Sequence, residues 1–131
     1  MNVLFLDDSD SRWESFSEIV KNSVRVATAA DCISLIKENP NIDWLFLDHD
    51  LGGEYWVDSS REDCGMEVVR FLCSNDYTKS IRNIVVHSHN VSAAEEMFNK
   101  LKENNYSVRL VPFKNLIEVI KLQESNVINN K

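Results

Sequence analysis

Glycine and proline are nearly missing from this chain, with three glycines and two prolines in 131 residues. That scarcity argues against flexible linkers, and no repeat or low-complexity block interrupts the sequence. Gly52-Gly53 marks a turn, but two glycines are too few to build a phosphate-cradling loop. Cysteine is equally sparse. Cys32, Cys64 and Cys73 are an odd set with no C-x-x-C pair, which argues against a zinc knuckle or a disulfide framework and for buried free thiols in a reducing compartment. Positive charge is in deficit, with 14 Lys and Arg against 21 Asp and Glu and a net charge of -7. A chain of that sign has no broad grip on duplex DNA, long RNA or an anionic membrane. A small phosphate ligand stays compatible if a metal supplies positive charge locally. No apolar run reaches membrane-span length. The opening MNVLFLDDSD meets acids with no basic segment before them, unlike a signal peptide. The expectation is a cytoplasmic protein, a monomer or small homo-oligomer, of one-domain size.

What is present alternates between strand-like and helix-like segments. Val3 to Leu6, Val24 to Ala27, Trp44 to Leu47, Ile81 to Val86 and Val108 to Val111 read as short apolar strands. Between them lie stretches with helical spacing. Ser11 with Glu14 forms a capping box before Trp13, Phe16 and Val20. Thr28 with Asp31 opens a second helix lined by Cys32, Leu35 and Ile36, which Asn39-Pro40 stops. Met66 to Cys73 suggests a third, and Ser92 with Glu95 a fourth before Met97, Phe98 and Leu101. Asn115 is placed to cap a fifth carrying Leu116, Val119 and Ile120. Five strands alternating with five helices predict a single α/β domain over residues 1–124, with a polar tail at 125–131. Right-handed crossovers then give a parallel sheet covered on both faces, in flavodoxin-like strand order.

In such a sheet, ligands bind beyond the carboxyl ends of the strands. Asp7 and Asp8 follow the first strand, Asp48, His49 and Asp50 the third, and His87, Ser88, His89 and Asn90 the fourth. Acids favour loops for purely local reasons, yet three separate strand ends here carry related chemistry to one edge. Two carboxylates about 5 Å apart repel by roughly 3 kcal/mol at an effective dielectric near 20. A cluster of them takes up protons or a cation, and oxygen donors without cysteine suit Mg²⁺ or Mn²⁺. His87 and His89 suit acid-base work, phosphate contacts or metal ligation, or hydrogen bonds to loop carbonyls. Tyr55 and Trp56, in a long loop beside this edge, suit stacking on a nucleobase, though Trp56 also suits the core. Trp13, Trp44 and Phe46 read as core. Lys114, near the end of the fifth strand, is either a phosphate contact or a solvated lysine.

LFLDD at 4–8, LDHDLG at 47–52, Gly65 and VHSHN at 86–90 together resemble the cyclic-phosphate-processing receiver-like domains, relatives of response-regulator receivers in bacteria and phages. The resemblance spans residues 3–120. It implies a five-stranded parallel sheet and a role in handling cyclic phosphates at RNA ends or in nucleotides. It assigns Asp7, Asp8 and Asp48 to an acidic metal pocket, and Asp50, His87 and Asn90 to the family-specific part of the site. His89 stands where many members carry a small residue. A phosphorylated receiver also needs a Lys before the Pro that follows its fifth strand. Val111 holds that place before Pro112, and Lys114 comes too late. The implied function is a metal-dependent phosphoesterase acting on a cyclic nucleotide or RNA 2′,3′-cyclic phosphate end, with removal of a nucleotide immune signal as a purpose. A cyclic-nucleotide-binding module and an atypical phospho-receiver remain the alternatives.

Overall fold

The computed structural model describes residues 2–116 and 118. Strands β1 (Val3–Leu6), β2 (Ser23–Val26), β3 (Ile42–Leu47), β4 (Ile81–Val86) and β5 (Val108–Leu110) alternate with helices α1 (Asp10–Ile19), α2 (Ala29–Glu38), α3 (Gly65–Ser74) and α4 (Val91–Glu103). The strands form one sheet in the order β2-β1-β3-β4-β5, and every pairing is parallel. This is the expected flavodoxin-like order. Residues 113–116 are helical, and the Asn115 N–H donates to the Pro112 carbonyl at 2.9 Å. The last helical segment therefore starts two residues before the expected Asn115 cap. Val119, Ile120 and the 125–131 tail lie outside the described residues.

Period-two alternation along the strands sorts the core into two layers. Leu4, Leu6, Leu45, Leu47, Ile84 and Val86 face α2, α3 and α4. Val3, Phe5, Phe46 and Val85 face α1 and Leu116, with Trp13 and Trp44 packed at the border and only partly buried. Cys32 and Cys64 are buried free thiols and Cys73 is half-buried. Among the described residues, no helix is long and apolar enough to cross a membrane.

Two helix starts differ from the sequence expectation, and both bear on function. The N-cap of α1 is Ser9, whose Oγ accepts from the Arg12 N–H at 3.3 Å. Ser11 and Glu14 therefore lie inside the helix. The N-cap of α4 is Asn90, whose Oδ1 accepts from the Ala93 N–H at 3.3 Å, so Ser92 lies two residues too late to cap. Each true cap sits closer to its strand end, and each helix starts at the rim of the sheet. α2 starts as read, with the Thr28 Oγ1 accepting from the Asp31 N–H.

Candidate functional site

Register brings the site together. Leu6 pairs with Leu47 and Leu47 with Val86. The next residues, Asp7, Asp48 and His87, thus stand side by side at the carboxyl ends of β1, β3 and β4. The Asp48 N–H donates to the Leu6 carbonyl and the His87 N–H to the Leu47 carbonyl, both at 3.0 Å. The ladder continues one residue past each strand. All three residues have the parity of Phe5, Phe46 and Val85, so their side chains emerge on the α1 side.

α3 starts against this row. The Gly65 N–H donates to the His49 carbonyl at 2.8 Å, and a Cβ on Gly65 would lie 1.9 Å from the Asp48 carbonyl oxygen. Only glycine permits that approach.

Asp7 is fully buried. Its Oδ2 meets His87 Nε2 at 3.1 Å and accepts from Arg12 Nε at 2.7 Å, while Oδ1 accepts from Arg12 Nη2 at 2.8 Å and from the Ser9 N–H at 2.9 Å. Burial pushes Asp7 upward, but the bonds from His87 and Arg12 outweigh it and hold the carboxyl down to about 2. Asp48 goes the other way. Burial, reinforced by the charge of Asp7, pushes it up to about 8 despite Arg12 and the His49 N–H that its Oδ1 accepts. One carboxyl of the pair is ionised near neutral pH and the other holds a proton. One oxygen from each of Asp7, Asp8 and Asp48 falls within a common span of 4.8 Å. Three carboxylate donors with no sulfur fit Mg²⁺ or Mn²⁺.

His87 stands behind Asp7. Its ring is 1% exposed, stacks on Phe5 with centroids 5.1 Å apart and planes 5° apart, and lies 6.1 Å from Phe113. Burial lowers its pKa against the pull of Asp7, so it is a neutral imidazole that donates from Nε2 to Asp7. Nδ1 is buried with no partner among the described residues. The sequence reading has His87 facing a ligand; the chain folds its ring into the aromatic layer instead, because it shares the inward parity of Val85.

His49 has the opposite parity and is enclosed on the other side of the sheet. Its Nδ1 lies 2.6 Å from Asp50 Oδ1 and its Nε2 3.0 Å from Ser59 Oγ. Burial would lower its pKa, but Cys64 and Asp50 raise it on balance. With its ring sealed from solvent, His49 orients Asp50 rather than meeting a ligand. Asp50 also accepts from the Trp56 N–H at 2.8 Å, the Val57 N–H at 3.2 Å and Asn90 Nδ2 at 3.2 Å. The long loop after β3 is thereby folded over the site. Gly52 and Gly53 turn it at φ +74° and +75°, and the Gly53 N–H donates to Asp8 Oδ2. Trp56 is held at φ +55°, a conformation that bulky residues rarely adopt.

A cleft of about 280 Å³ opens at this edge, lined by Asp8, Arg12, Asp48, Asp50, Tyr55, Ser88 and His89 among others. Of the residues singled out in the sequence, Asp8, Asp48, Asp50, Tyr55, Ser88 and His89 line it. Asp7, His87, His49 and Asn90 stand behind the wall and hold it. Trp56 is 73% exposed on the outer loop, which removes it from the core. Lys114 is exposed and does not line the cleft.

Arg12 is the residue the sequence reading misses. From the first turn of α1 it makes a two-pronged contact with Asp7 and reaches Asp48 at 3.3 Å and Asp8 at 3.9 Å. Placing the cap at Ser11 hides it, because Arg12 then reads as an ordinary first-turn residue. The i,i+4 spacing from Asp8 is the signal that finds it.

The profile of the cyclic-phosphate processing receiver domain matches residues 2–103. No curated protein matches the sequence. Among solved structures, the chain is similar to a signal receiver domain assigned to a Luxo repressor protein from Vibrio parahaemolyticus. That likeness has a TM-score of 0.55 and 20% identity, over 94% of each chain. It is also similar to a yeast Spc42 trimeric coiled coil fused to another structure, with a TM-score of 0.59 and 16% identity, over 96% of this chain and 82% of that one. At such identities these two likenesses speak for the fold alone.

Proposed function

Since the chain belongs to the family of cyclic-phosphate processing receiver domains, we propose that it is a metal-dependent phosphoesterase that opens a cyclic phosphate. The substrate in this reading is a cyclic nucleotide or an RNA 2′,3′-cyclic end. The observation that carries the reading is the convergence of the Asp7, Asp8 and Asp48 oxygens within 4.8 Å at a cleft whose rim holds His89 and Ser88.

Asp7, Asp8 and Asp48 would hold Mg²⁺ or Mn²⁺, which supplies stabilisation of charge on the phosphoryl oxygens. The remaining work falls to side chains. His89 is exposed at the cleft and is the group placed to move a proton between water and the leaving ribose oxygen. Water attacks phosphorus, the bond to one ribose oxygen breaks, and that oxygen leaves with a proton. His87 is a positioning residue in this scheme, since it touches Asp7 and no open surface. Asp50 and Asn90 hold the loop that carries Tyr55, whose ring is 86% exposed and available to stack on a base. Degradation of a nucleotide immune signal is the purpose this activity suits.

A screen of cyclic mono-, di- and oligonucleotides and RNA 2′,3′-cyclic ends, with Mg²⁺ or Mn²⁺ and chromatographic readout, tests the reading. Ring-opened product that depends on the metal and on His89 is expected. Tight binding without turnover would make the chain a binding module. A phospho-receiver is the second reading, favoured by Asp48 and Ser88 at one cleft. Val111 before Pro112 argues against it, and a stoichiometric phosphoryl adduct on Asp48 after treatment with acetyl phosphate would favour it.

A further inference from the structure

The cation position at the carboxyl edge already has a positive group in it. Arg12 Nη2 alone lies 2.8 Å from Asp7 Oδ1, 3.3 Å from Asp48 Oδ2 and 3.9 Å from Asp8 Oδ1. These are the three carboxylates whose oxygens converge. A Mg²⁺ ion takes its oxygens at about 2.1 Å, so the ion and this nitrogen, both positive and both drawn to the same three carboxylates, compete for them.

We propose that Arg12 is a resident counter-ion which must release the carboxylates when a divalent cation binds, and that its freed guanidinium then binds the phosphate of the substrate. The inference rests on the cation reading above.

Several observations make Arg12 a movable group rather than a buried strut. Its side chain is 26% exposed and lines the cleft, whereas Asp7 behind it is sealed. Its backbone is fixed in the first turn of α1 by the Ser9 cap, so only the side chain has to swing. On one flank its guanidinium carbon lies 5.9 Å from the centre of the Phe113 ring, an aromatic face on which a guanidinium can rest. Turned toward the cleft, a planar fork of donors is suited to two phosphate oxygens at once. Among the described residues that line this cleft, Arg12 is the only arginine or lysine. An anionic ligand entering among Asp8, Asp48, Asp50 and Glu54 needs such a partner besides the metal.

The test measures Mn²⁺ binding by electron paramagnetic resonance, and then inorganic phosphate binding at saturating Mn²⁺, on the wild type and Arg12→Gln. The variant is expected to bind Mn²⁺ tighter by about tenfold or more, since charged hydrogen bonds no longer have to be broken first. It is expected to bind phosphate more weakly. Loss of one positive charge moves the two affinities in these directions even if the side chain never swings, so release of the carboxylates is read from the wild type. Unchanged or weaker Mn²⁺ binding in a folded Arg12→Gln protein overturns the competition, and unchanged phosphate binding overturns the second half. Failure of Mn²⁺ to bind either protein overturns the cation reading itself. The wild type gives a reading independent of the variant's folding: the Arg12 Nε–H signal in nitrogen-edited NMR, shielded by Asp7, should exchange faster with water as Mg²⁺ is added. A signal that stays protected at saturating Mg²⁺ overturns the proposal.

Discussion

Replacing Asp48 by Asn tests the electrostatics of the site most directly. The side chain is 6% exposed and has Asp7 for a neighbour, with the two carboxyl oxygens no more than 4.8 Å apart. At an effective dielectric near 20, two unit charges at that distance repel by about 3 kcal/mol. Burial is the larger cause, and together they move Asp48 from 3.8 to about 8. At about 1.4 kcal/mol per pKa unit, ionising Asp48 in the metal-free fold costs about 6 kcal/mol as an upper bound. Between about pH 4 and pH 8 the folded chain keeps a proton that the unfolded chain has released, so stability falls as pH rises through that window. Asp7 has the opposite sign: its stabilisation is present above about pH 4 and is lost as pH falls toward 2, so it leaves the upper window untouched. Asn has nearly the shape of protonated Asp and cannot ionise. In urea unfolding followed by tryptophan fluorescence without divalent cations, Asp48→Asn should match the wild type at or below about pH 4 and exceed it increasingly above that, by up to several kcal/mol near pH 9. Millimolar Mg²⁺ should stabilise the wild type, increasingly so at higher pH as the ion displaces the proton, and leave Asp48→Asn unchanged. Parallel pH profiles for the two proteins, in the absence of metal, would refute the reasoning.

The two histidines at the end of β4 should separate cleanly. His87→Ala removes a buried stack on Phe5 and a donor to Asp7, and should cost about 1–3 kcal/mol in urea melts. His89→Ala should change stability by less than about 0.5 kcal/mol yet cut turnover of an identified substrate by about 10²–10⁴-fold. A variant pair with these effects reversed would return the proton-transfer role to His87. Gly65→Ala puts a methyl group 1.9 Å from the Asp48 carbonyl oxygen. It should destabilise the fold by about 1–3 kcal/mol and reduce the Mg²⁺-dependent rise in melting temperature, because Asp48 has to move with its backbone. A melting curve superposable on the wild type, with and without Mg²⁺, would show that the approach of α3 to β3 is looser than these distances require.

Much of this protein is decided locally and is legible in the residue order. Buried strands of a parallel sheet are short continuous apolar runs, and β1, β3 and β4 show this in VLFL, in WLFL at 44–47 and in IVV at 84–86. Strand count and alternation with helices then leave few topologies, and the carboxyl-end rule points to Asp7, Asp8, Asp48 and the His87–Asn90 stretch from residue order alone. Other features are set by inter-strand register and helix placement, which local sequence does not encode. Side-chain parity on neighbouring strands sends His87 into the aromatic layer and His49 to the opposite face, although both sit one or two residues past a strand end. The caps at Ser9 and Asn90 win over Ser11 and Ser92 because the helices must start at the sheet rim, where the chain leaves each strand. That offset of two residues in α1 aims Arg12 at three carboxylates that lie 4, 5 and 36 residues away in sequence. A guanidinium at the first turn of a helix is unremarkable in one dimension; only the folded sheet, by gathering those acids within reach of one nitrogen, makes it the cation of the site.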